Sequence, residues 1–228
     1  MKKFFVKLMI KAFDDNEAYI RGLISRFARR KSDLKALDVG CGDGGMTQKL
    51  FRGTNYELYG IDIFPPTKFT KMEFTKADFE HGKFNYPDNI FDLVVSNQVI
   101  EHLLNKDDML SEVYRVLKPG GLFILSTENI SSFDNILSIL FGQEPISQHT
   151  SKYFVTSSFL SSHFMQKLDS REGNLYGHKN VCSYYGLKRL VNLAGFKNIS
   201  IKGYGSILPI FENIFPIYNR VITLTATK

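Results

Sequence analysis

Short apolar runs and longer stretches with helical periodicity alternate along most of this 228-residue chain. Apolar runs at residues 34–40, 57–63, 72–79 and 91–97 predict strands, and an amphipathic stretch over 46–51 predicts a helix after the first of them. Strands that alternate with helical segments are typical of βαβ units on a parallel sheet. The pattern therefore predicts an α/β fold.

The alternation continues after the fourth run, breaks, and then resumes. A helix is predicted from about residue 99 to residue 117, ended by the Pro119-Gly120-Gly121 turn and followed by a strand over 122–127. Residues 128–182 break the order and contain one amphipathic segment, "SSFDNILSILFG". A helix in "SYYGLKRLVNLAG" and strands in "FKNISIKGYG" and "RVITLTATK" complete the pattern. We expect one domain over 36–228 with a variable insertion at about 128–182, which would supply a lid or the acceptor region.

Residues 1–35 form a basic segment ahead of that domain. Lysines recur every four residues on one face and apolar residues on another, which predicts a basic amphipathic helical arm; these are Lys3, Lys7 and Lys11, and Phe5, Met9 and Phe13. Two interpretations stay open, a helix packed on its own domain and a helix in peripheral contact with an anionic membrane. A secretory signal is not expected, because lysines interrupt the apolar run and no small-residue cleavage site follows.

Composition and charge limit the classes of function that this chain is expected to have. A hydrophobic content of 43% with 14% aromatic residues predicts a folded core rather than disorder. The net charge of +6 lies in residues 1–35, which carry ten basic and four acidic side chains, so the remainder is balanced. A nucleic-acid enzyme would spread positive charge over its binding face, so no nucleic-acid partner is expected. Two cysteines make no disulfide framework, which favours the reducing cytoplasm.

The most informative short stretch is the glycine-rich turn "LDVGCGDGG" at residues 37–45, directly after the first predicted strand. Its glycines satisfy both G-x-G-x-x-G and G-x-G-x-G, and Asp62 follows at the distance expected of a ribose-binding acid; the glycines are Gly40, Gly42, Gly44 and Gly45. The spacing alone does not choose between a dinucleotide and another nucleoside cofactor.

The charge of this turn favours a cofactor that has no phosphate. Asp38 precedes the first glycine and Asp43 lies inside the turn. A carboxylate ~5 Å from a phosphate would cost about 1 kcal/mol even in water-like surroundings. An ammonium and a sulfonium would be attracted instead, and S-adenosylmethionine carries both. We therefore expect S-adenosylmethionine as the cofactor.

Five motifs in order extend this interpretation: "LDVGCGDGG", "YGIDI", "ADFE", "FDLVVSNQVIEHL" and "VLKPGGLFILSTEN". Together they resemble class I S-adenosylmethionine-dependent methyltransferases, and within them the small-molecule group that includes the ubiquinone-type enzymes. The resemblance covers roughly residues 36–129. It implies a Rossmann-like, doubly wound, mostly parallel seven-stranded sheet with an antiparallel last strand and helical cover elements.

The resemblance also implies ten cofactor-binding residues, which fall at the carboxyl ends of predicted strands, where open α/β sheets bind ligands. Those that would face the methionine part are Asp38, Gly40, Cys41, Gly42, Asn97 and Gln98. Those that would hold the ribose and the adenine are Asp62, Ile63, Asp78 and Phe79.

Candidates for catalysis are fewer, because a general base is needed only when the accepting atom must lose a proton. His102 is the best-placed candidate, with a structural role at the helix start as its alternative. His149 lies in the insertion and would reach an acceptor, with an ordinary surface loop as the alternative. His178 is similar, with Tyr184 and Tyr185 as further candidate acceptor contacts.

A metal is not expected. Some ubiquinone-pathway methyltransferases carry a metal-binding E-x-x-E-H at this point, and here Gln98 replaces the first acid ahead of Glu101 and His102. Two ligands and a weak third are too few for a hard cation.

The predicted function is methyl transfer from S-adenosylmethionine to a small-molecule or lipid-like acceptor, at oxygen. The apolar segments at 130–142 and 204–218 would either line an acceptor pocket or belong to the core. Two alternatives remain, an NAD-dependent oxidoreductase and a cofactor-binding regulatory protein without catalysis.

Overall fold

The computed structural model describes residues 2–29, 32–79, 82–148, 177–206 and 212–228. Its helices are α1 (Lys2–Ala28), α2 (Gly45–Leu50), α3 (Lys106–Val116), α4 (Phe133–Leu140) and α5 (Tyr184–Leu193), with 3₁₀ turns at Ile100–His102 and Pro216–Tyr218. Its strands are β1 (Lys35–Val39), β2 (Glu57–Asp62), β3 (Glu73–Lys76), β4 (Phe91–Asn97), β5 (Leu117–Glu128), β6 (Lys197–Tyr204) and β7 (Val221–Thr227).

The seven strands form one sheet in the order β3-β2-β1-β4-β5-β7-β6. β1 to β5 pair in parallel, whereas β7 runs antiparallel to both β5 and β6. The predicted fold class, with its antiparallel last strand, is confirmed. The strand order reverses between β1 and β4, so the carboxyl ends of these two strands open the crevice in which such sheets bind ligands.

Two hydrophobic layers cover the two faces of the sheet. On one face α3 and α5 pack against strand residues that include Val94 and Phe123. On the other face α1 packs against Leu93, Val95 and neighbouring strand residues. Central strands covered on both faces are apolar on both faces, which explains the continuous apolar run at residues 93–95 of β4.

Helix α1 packs on its own domain through a stripe of buried residues four positions apart, namely Ala12, Asn16, Ile20 and Ile24. Asn16 is the polar member of this stripe: it donates to Ser126 Oγ at 2.8 Å and accepts a hydrogen bond from Thr223. This buried network attaches α1 to β5 and β7, as the first of the two interpretations expects for this part of the helix.

The direction of α1 places its first turns beyond the carboxyl edge of the sheet. A Cβ on Gly205, directly after β6, would meet Ala12 Cβ at 2.3 Å, so Ala12 lies at that edge. At the opposite edge, Tyr56 donates to the carbonyl of Ile24. The ten helical residues 2–11 therefore extend about 15 Å past the carboxyl edge, at 1.5 Å per residue.

Two predicted boundaries differ from the structure. The helix predicted over 99–117 is divided, because Asn105 accepts a hydrogen bond from the Asp108 amide and starts α3 afresh. The Pro119-Gly120-Gly121 turn lies inside β5, which pairs with β4 at Leu117 and resumes after a register shift. Gly120 has φ +74, which lets the strand bulge there without ending.

Candidate active site

The glycine turn after β1 is bound to the end of β2 and requires glycine at its first position. The amides of Gly40 and Cys41 both donate to the carbonyl of Ile61, at 2.8 and 3.3 Å. Gly40 has φ +80, and a Cβ there would lie 2.2 Å from Val99 Cγ2. The chain therefore passes close to Val99, and a side chain at position 40 would block that approach.

Asp62, the last residue of β2, holds the turn from the other side. Its Oδ2 accepts a hydrogen bond from the Gly42 amide at 2.8 Å, and its Oδ1 accepts one from the Phe64 amide at 3.2 Å. The carboxylate is therefore fixed at the crevice by two backbone donors.

A cavity of about 300 Å³ opens at the carboxyl ends of β1, β2 and β4. Seven of the ten predicted cofactor residues line it, together with the predicted base His102: Gly40, Gly42, Asp62, Ile63, Asp78, Phe79 and Gln98. Four further lining residues were not predicted to act here: Phe64, Val99, Leu103 and Lys179. The structure brings these side chains together from segments that span residues 40 to 179.

The other three predicted cofactor residues are Asp38, Cys41 and Asn97, which are not among the residues lining this cavity. Asp38 is buried and accepts a hydrogen bond from Thr47 Oγ1 at 2.5 Å. Burial raises the pKa of Asp38 to about 6, against the effect of that hydrogen bond, and the nearby Asp62 raises it further. Burial also raises the pKa of the Cys41 thiol.

Asn97 and Gln98 end β4 in an unusual geometry. The Oδ1 of Asn97 is buried and has no hydrogen-bond partner within the described part of the chain. Gln98 has φ +58, a left-handed conformation that is uncommon outside glycine, and its amide donates to the Ser126 carbonyl at 2.9 Å. Backbone strain of this kind concentrates at functional sites.

Asp43 does not serve the cavity, and the expectation that its charge faces the ligand is wrong. Its carboxylate is exposed, lies 2.6 Å from Lys68 Nζ, and accepts a hydrogen bond from the Gly45 amide. The hydrogen bond from Lys68, followed by the one from Gly45, lowers the pKa of Asp43. The residue stabilises the outside of the turn, so of the two turn carboxylates only Asp38 remains a candidate for attracting the cationic groups of the ligand.

His102 lies in the 3₁₀ turn beside the cavity and forms part of a cluster of titratable groups. Its Nδ1 is 3.2 Å from the Gly177 carbonyl, and its ring is 4.8 Å from the ring of His178. His178 Nδ1 is 2.7 Å from the Ser147 carbonyl and 3.5 Å from a carboxylate oxygen of Glu128. The second predicted base, His149, lies outside the described residues.

Glu101 is the fully buried member of this cluster. Its Oε2 accepts a hydrogen bond from Thr127 at 2.8 Å, and its Oε1 has no partner among the residues described. Burial raises the pKa of Glu101 to about 7, although His178 opposes the shift. Burial lowers the pKa of His178, but Glu128, Glu101 and the Ser147 carbonyl outweigh it, so the net shift is upward.

A family model described as a methyltransferase domain matches residues 13–201 of this sequence. The chain belongs to this methyltransferase family. The match runs from α1 through β6 and so contains every cofactor residue named above. It supports a methyltransferase over an NAD-dependent oxidoreductase.

Curated relatives agree on the reaction class and differ in the methylated atom. The chain is 31% identical over 149 residues to the mitochondrial ubiquinone biosynthesis O-methyltransferase of Rattus norvegicus, covering 58% of this chain and 43% of that protein. It is 35% identical over 105 residues to a sterol 24-C-methyltransferase of Aspergillus fumigatus, covering 41% and 27%. The chain thus matches less than half the length of each of these relatives.

A solved structure shows the same fold over nearly the whole chain. Phosphoethanolamine N-methyltransferase 2 of Haemonchus contortus, in complex with S-adenosyl-L-methionine, superposes with a TM-score of 0.58 at 17% identity. The likeness covers 94% of this chain and 52% of that chain. The sequence-based predictions of a Rossmann-like methyltransferase family and of S-adenosylmethionine as its cofactor are confirmed.

Two polar groups that neighbour the cavity-lining residues along the methyltransferase chain suit that cofactor. The buried, unpartnered Oδ1 of Asn97 needs a donor, and an ammonium supplies one. Burial keeps Asp38 away from water, so the residue gains from a nearby cation. Both features suit the positively charged methionine part of S-adenosylmethionine.

The same methyltransferase site contains a group that is close enough to share a metal ion. One candidate ligand atom each from Glu101, His102 and His178 lie within 4.8 Å of one another. His178 also lies 3.5 Å from a carboxylate oxygen of Glu128, so the same groups can form an ion-pair network. That no metal is required stays a prediction.

His178 and Lys179 show which site residues sequence reasoning missed or undervalued. Both lie near the end of the insertion: Lys179 lines the cavity, whereas His178 contacts the ring of the cavity-lining His102, and the Asn180 amide donates to the Glu101 carbonyl. The motif order carried no signal for Lys179. For His178 the signal was its residue type, which gave it only the status of a candidate acceptor contact.

Proposed function

We propose that this chain transfers the methyl group of S-adenosylmethionine to an oxygen of a small or lipid-like acceptor. The observation that carries the proposal is that seven predicted cofactor residues and His102 line one cavity at the switch point between β1 and β4. The named relatives methylate oxygen in one case and a sterol carbon in the other. Oxygen is favoured here because a histidine stands at the cavity to take the proton that an acceptor hydroxyl must lose.

Each cofactor residue takes a role that its position supports. Asp62 accepts hydrogen bonds from the ribose hydroxyls, and Ile63 and Phe79 pack against the adenine, while Asp78 at the exposed rim accepts from its amino group. Toward the methionine part, the Gly40–Gly42 backbone allows close approach. Asn97, Gln98 and Asp38 supply oxygen atoms that attract the ammonium.

The bound cofactor supplies an electrophilic methyl group on a good leaving group. The acceptor oxygen forms the new O–CH₃ bond as the S–CH₃ bond breaks, and its proton passes to His102. Holding the oxygen in line with the methyl group accounts for most of the rate, an effect worth up to ~7–11 kcal/mol. The carbonyl of Gly177, 3.2 Å from His102 Nδ1, fixes the ring so that Nε2 faces the acceptor.

The proposed setting is the cytoplasm with peripheral contact to an anionic membrane through residues 1–35. Cys41 and Cys182 are both free thiols, which suits a reducing compartment. Among the described helices, none is long and apolar enough to cross a bilayer. The acceptor is a small or lipid-like molecule, and nucleic acid is not proposed as a partner.

Binding and turnover test the proposal separately. Calorimetric titration with S-adenosylhomocysteine should give micromolar affinity, and NAD should give none. Incubation with methyl-labelled S-adenosylmethionine and panels of phenols, sugars and lipid extracts should then label one acceptor class at oxygen. Cofactor binding without turnover of any acceptor would favour the regulatory alternative, and NAD binding alone would refute the site.

His102→Gln tests the proposed base. Turnover should fall by about 10²–10⁴-fold, whereas the affinity for S-adenosylhomocysteine should stay within a few-fold, because the glutamine keeps a polar side chain at the cavity wall. Turnover unchanged in H102Q would remove His102 from the mechanism.

The prediction that no metal is required has its own measurement. Chelator-treated protein should keep full activity, and added magnesium, manganese or zinc should not raise it. Activity lost on chelation and restored by one of these ions would assign Glu101, His102 and His178 to a metal site instead.

A further inference from the structure

Helix α4 is oriented against the usual rule for surface helices. Its buried residues are polar, namely Asp134, Asn135 and Ser138. Its exposed residues are apolar and continue into the next residue, namely Leu137, Ile139, Leu140 and Phe141. A soluble domain normally presents the polar face to water, so α4 shows the reverse pattern, with its apolar face exposed to solvent.

The buried polar face is held by specific bonds. Asp134 forms a buried ion pair with Arg220, and Asn135 donates to the Asn129 carbonyl at 3.0 Å and accepts from the Ser147 amide at 3.1 Å. Rotating α4 to bury its leucines would expose or orphan these groups, at a cost of several kcal/mol. These buried polar contacts therefore hold the apolar face of α4 toward solvent.

A second apolar segment adjoins α4. The Phe133 ring lies 4.7 Å from the Tyr218 ring, which is 6.3 Å from the Phe215 ring. Ile214 and Phe215 are themselves exposed. We call the docking surface the set of exposed apolar residues in these two segments: Leu137, Ile139, Leu140, Phe141, Ile214 and Phe215.

The docking surface lies at the same edge of the sheet as the cavity. α4 begins five residues after the carboxyl end of β5, and β7 starts three residues after Tyr218 at the position paired with Glu128. The cavity opens at the carboxyl ends of β1, β2 and β4. A partner bound to the docking surface would therefore lie on the side of the molecule where the acceptor must enter.

Positive charge projects from this same edge. Residues 2–11, "KKFFVKLMIK", are helical and contain four lysines and no acidic residue. Lys7, Ile10 and Lys11 are exposed. A lysine near an anionic bilayer contributes about 1 kcal/mol to binding. An apolar surface beside a lysine-rich helix is the charge pattern that complements an anionic lipid surface.

We propose that the docking surface and the first three turns of α1 bind an anionic lipid bilayer, with the cavity edge facing the lipid. The apolar side chains of α4 enter the boundary between headgroups and acyl chains, and Lys7 of α1 contacts the headgroups. Docking goes beyond the proposed methyl transfer, because it does not depend on which atom is methylated. It supplies a route by which a lipid-like acceptor reaches the cavity without passing through water.

Vesicle co-sedimentation of the full chain tests this proposal with a matched pair of variants. Leu140 and Leu193 are each 73% exposed, but Leu193 is the last residue of α5, four residues before β6 begins at the opposite edge of the sheet. Wild-type protein should bind phosphatidylcholine vesicles that contain 30–40% phosphatidylglycerol (about that fraction suffices to attract lysines), and added salt should weaken binding. Leu140→Asp should weaken it at least tenfold, whereas Leu193→Asp should stay within twofold.

Further measurements separate docking from folding and from cofactor binding. Both variants should keep the wild-type melting temperature and the wild-type affinity for S-adenosylhomocysteine. Lys7→Glu should reduce binding to anionic vesicles only. Absence of vesicle binding by the wild type, or equal loss in L140D and L193D, would overturn the proposal whatever the outcome of the methyl-transfer assays. A wild-type dimer in analytical ultracentrifugation that L140D dissociates would assign the surface to a second copy of the chain instead.

Discussion

At the scale of one residue, the buried carboxyl of Asp38 lowers the stability of the folded protein, and its proposed contact with the cofactor gives that cost a function. Its carboxyl is buried, and burial raises its pKa from 3.8 to about 6. For an acid with a raised folded-state pKa, the folded state holds the proton more tightly than the unfolded state. The free energy of unfolding therefore falls as the pH rises from about 4 to about 6, and the full cost persists above that range.

Replacing Asp38 with Asn should remove this cost. We expect the free energy of unfolding of the cofactor-free protein to rise by about 1–3 kcal/mol at pH 8, and by less at pH 5. The asparagine oxygen can still accept the hydrogen bond from Thr47. Affinity for S-adenosylhomocysteine should fall at least tenfold, because the ammonium loses a carboxylate. Denaturant unfolding at the two pH values and calorimetry measure the two effects. A D38N variant less stable than the wild type at pH 8 would contradict the interpretation.

A comparison of Asp62, which holds the glycine turn from β2, with Asp43 inside that turn gives a second test of the site. Asp62→Ala should weaken binding of S-adenosylhomocysteine by roughly 1–3 kcal/mol, because the ribose hydroxyls and the Gly42 amide both lose a charged partner. Asp43→Ala should change affinity by no more than about 0.5 kcal/mol, because the exposed carboxylate pairs with Lys68 on the outside. Calorimetry on both variants measures the difference. Equal losses of affinity in the two variants would mean that the ligand contacts Asp43 as closely as Asp62, which contradicts the proposed site.

The resemblance to class I methyltransferases implied Asp62, Ile63, Asp78, Phe79 and Gln98 as cofactor residues, and these line one cavity because each ends or follows a strand at the same edge of the sheet. The charge argument failed for Asp43, because the direction of a side chain inside a glycine turn depends on backbone angles that residue order does not reveal. His178 and Lys179 join the site through tertiary packing across the insertion. Local patterns carry little information about such contacts.

At the scale of elements, α1 shows why sequence periodicity left two interpretations open. Amphipathicity is the same signal whether a helix packs on a sheet or on a membrane. The structure shows packing on the sheet for residues 12–24, which carry the buried stripe, whereas residues 2–11 project beyond the sheet and carry the proposed membrane contact. The strands were predicted closely because central parallel strands are apolar on both faces. The outward apolar face of α4 was not predicted, since amphipathicity alone does not say which face is buried.

Ile20 and Ile10 measure how much the packed part of α1 contributes to the fold. Ile20 has 0% of its surface exposed and Ile10 has 54%. Ile20→Ala should lower the free energy of unfolding by about 2–4 kcal/mol through lost burial and a cavity. Ile10→Ala should change it by less than about 0.5 kcal/mol. Urea unfolding of both variants measures this contrast. Similar small effects in both would mean that α1 is a detachable arm and not a layer of the domain.

At the scale of the whole molecule, the carboxyl edge of the sheet holds the cavity, the docking surface and the projecting end of α1. The strand order accounts for this arrangement, because the ends of parallel strands meet at one edge and crossovers open a crevice there. The cavity is built from β1, β2, β4 and the loops after them, which belong to the centre of the fold. Ligand binding is therefore expected to stabilise the whole domain.

This linkage gives a prediction for the intact protein. S-adenosylhomocysteine at one hundred times its dissociation constant should add about 2.7 kcal/mol to the free energy of unfolding. For a chain of this length that corresponds to a rise of roughly 5–10 °C in melting temperature. Differential scanning fluorimetry measures it, with NAD at equal concentration as the control. The D62A variant, at the same ligand concentration, should show at most about two thirds of the wild-type shift, because its affinity is lower by roughly 1–3 kcal/mol. A full shift in D62A, or an equal shift with NAD, would mean that the stabilising ligand binds elsewhere than the cavity between β1 and β4.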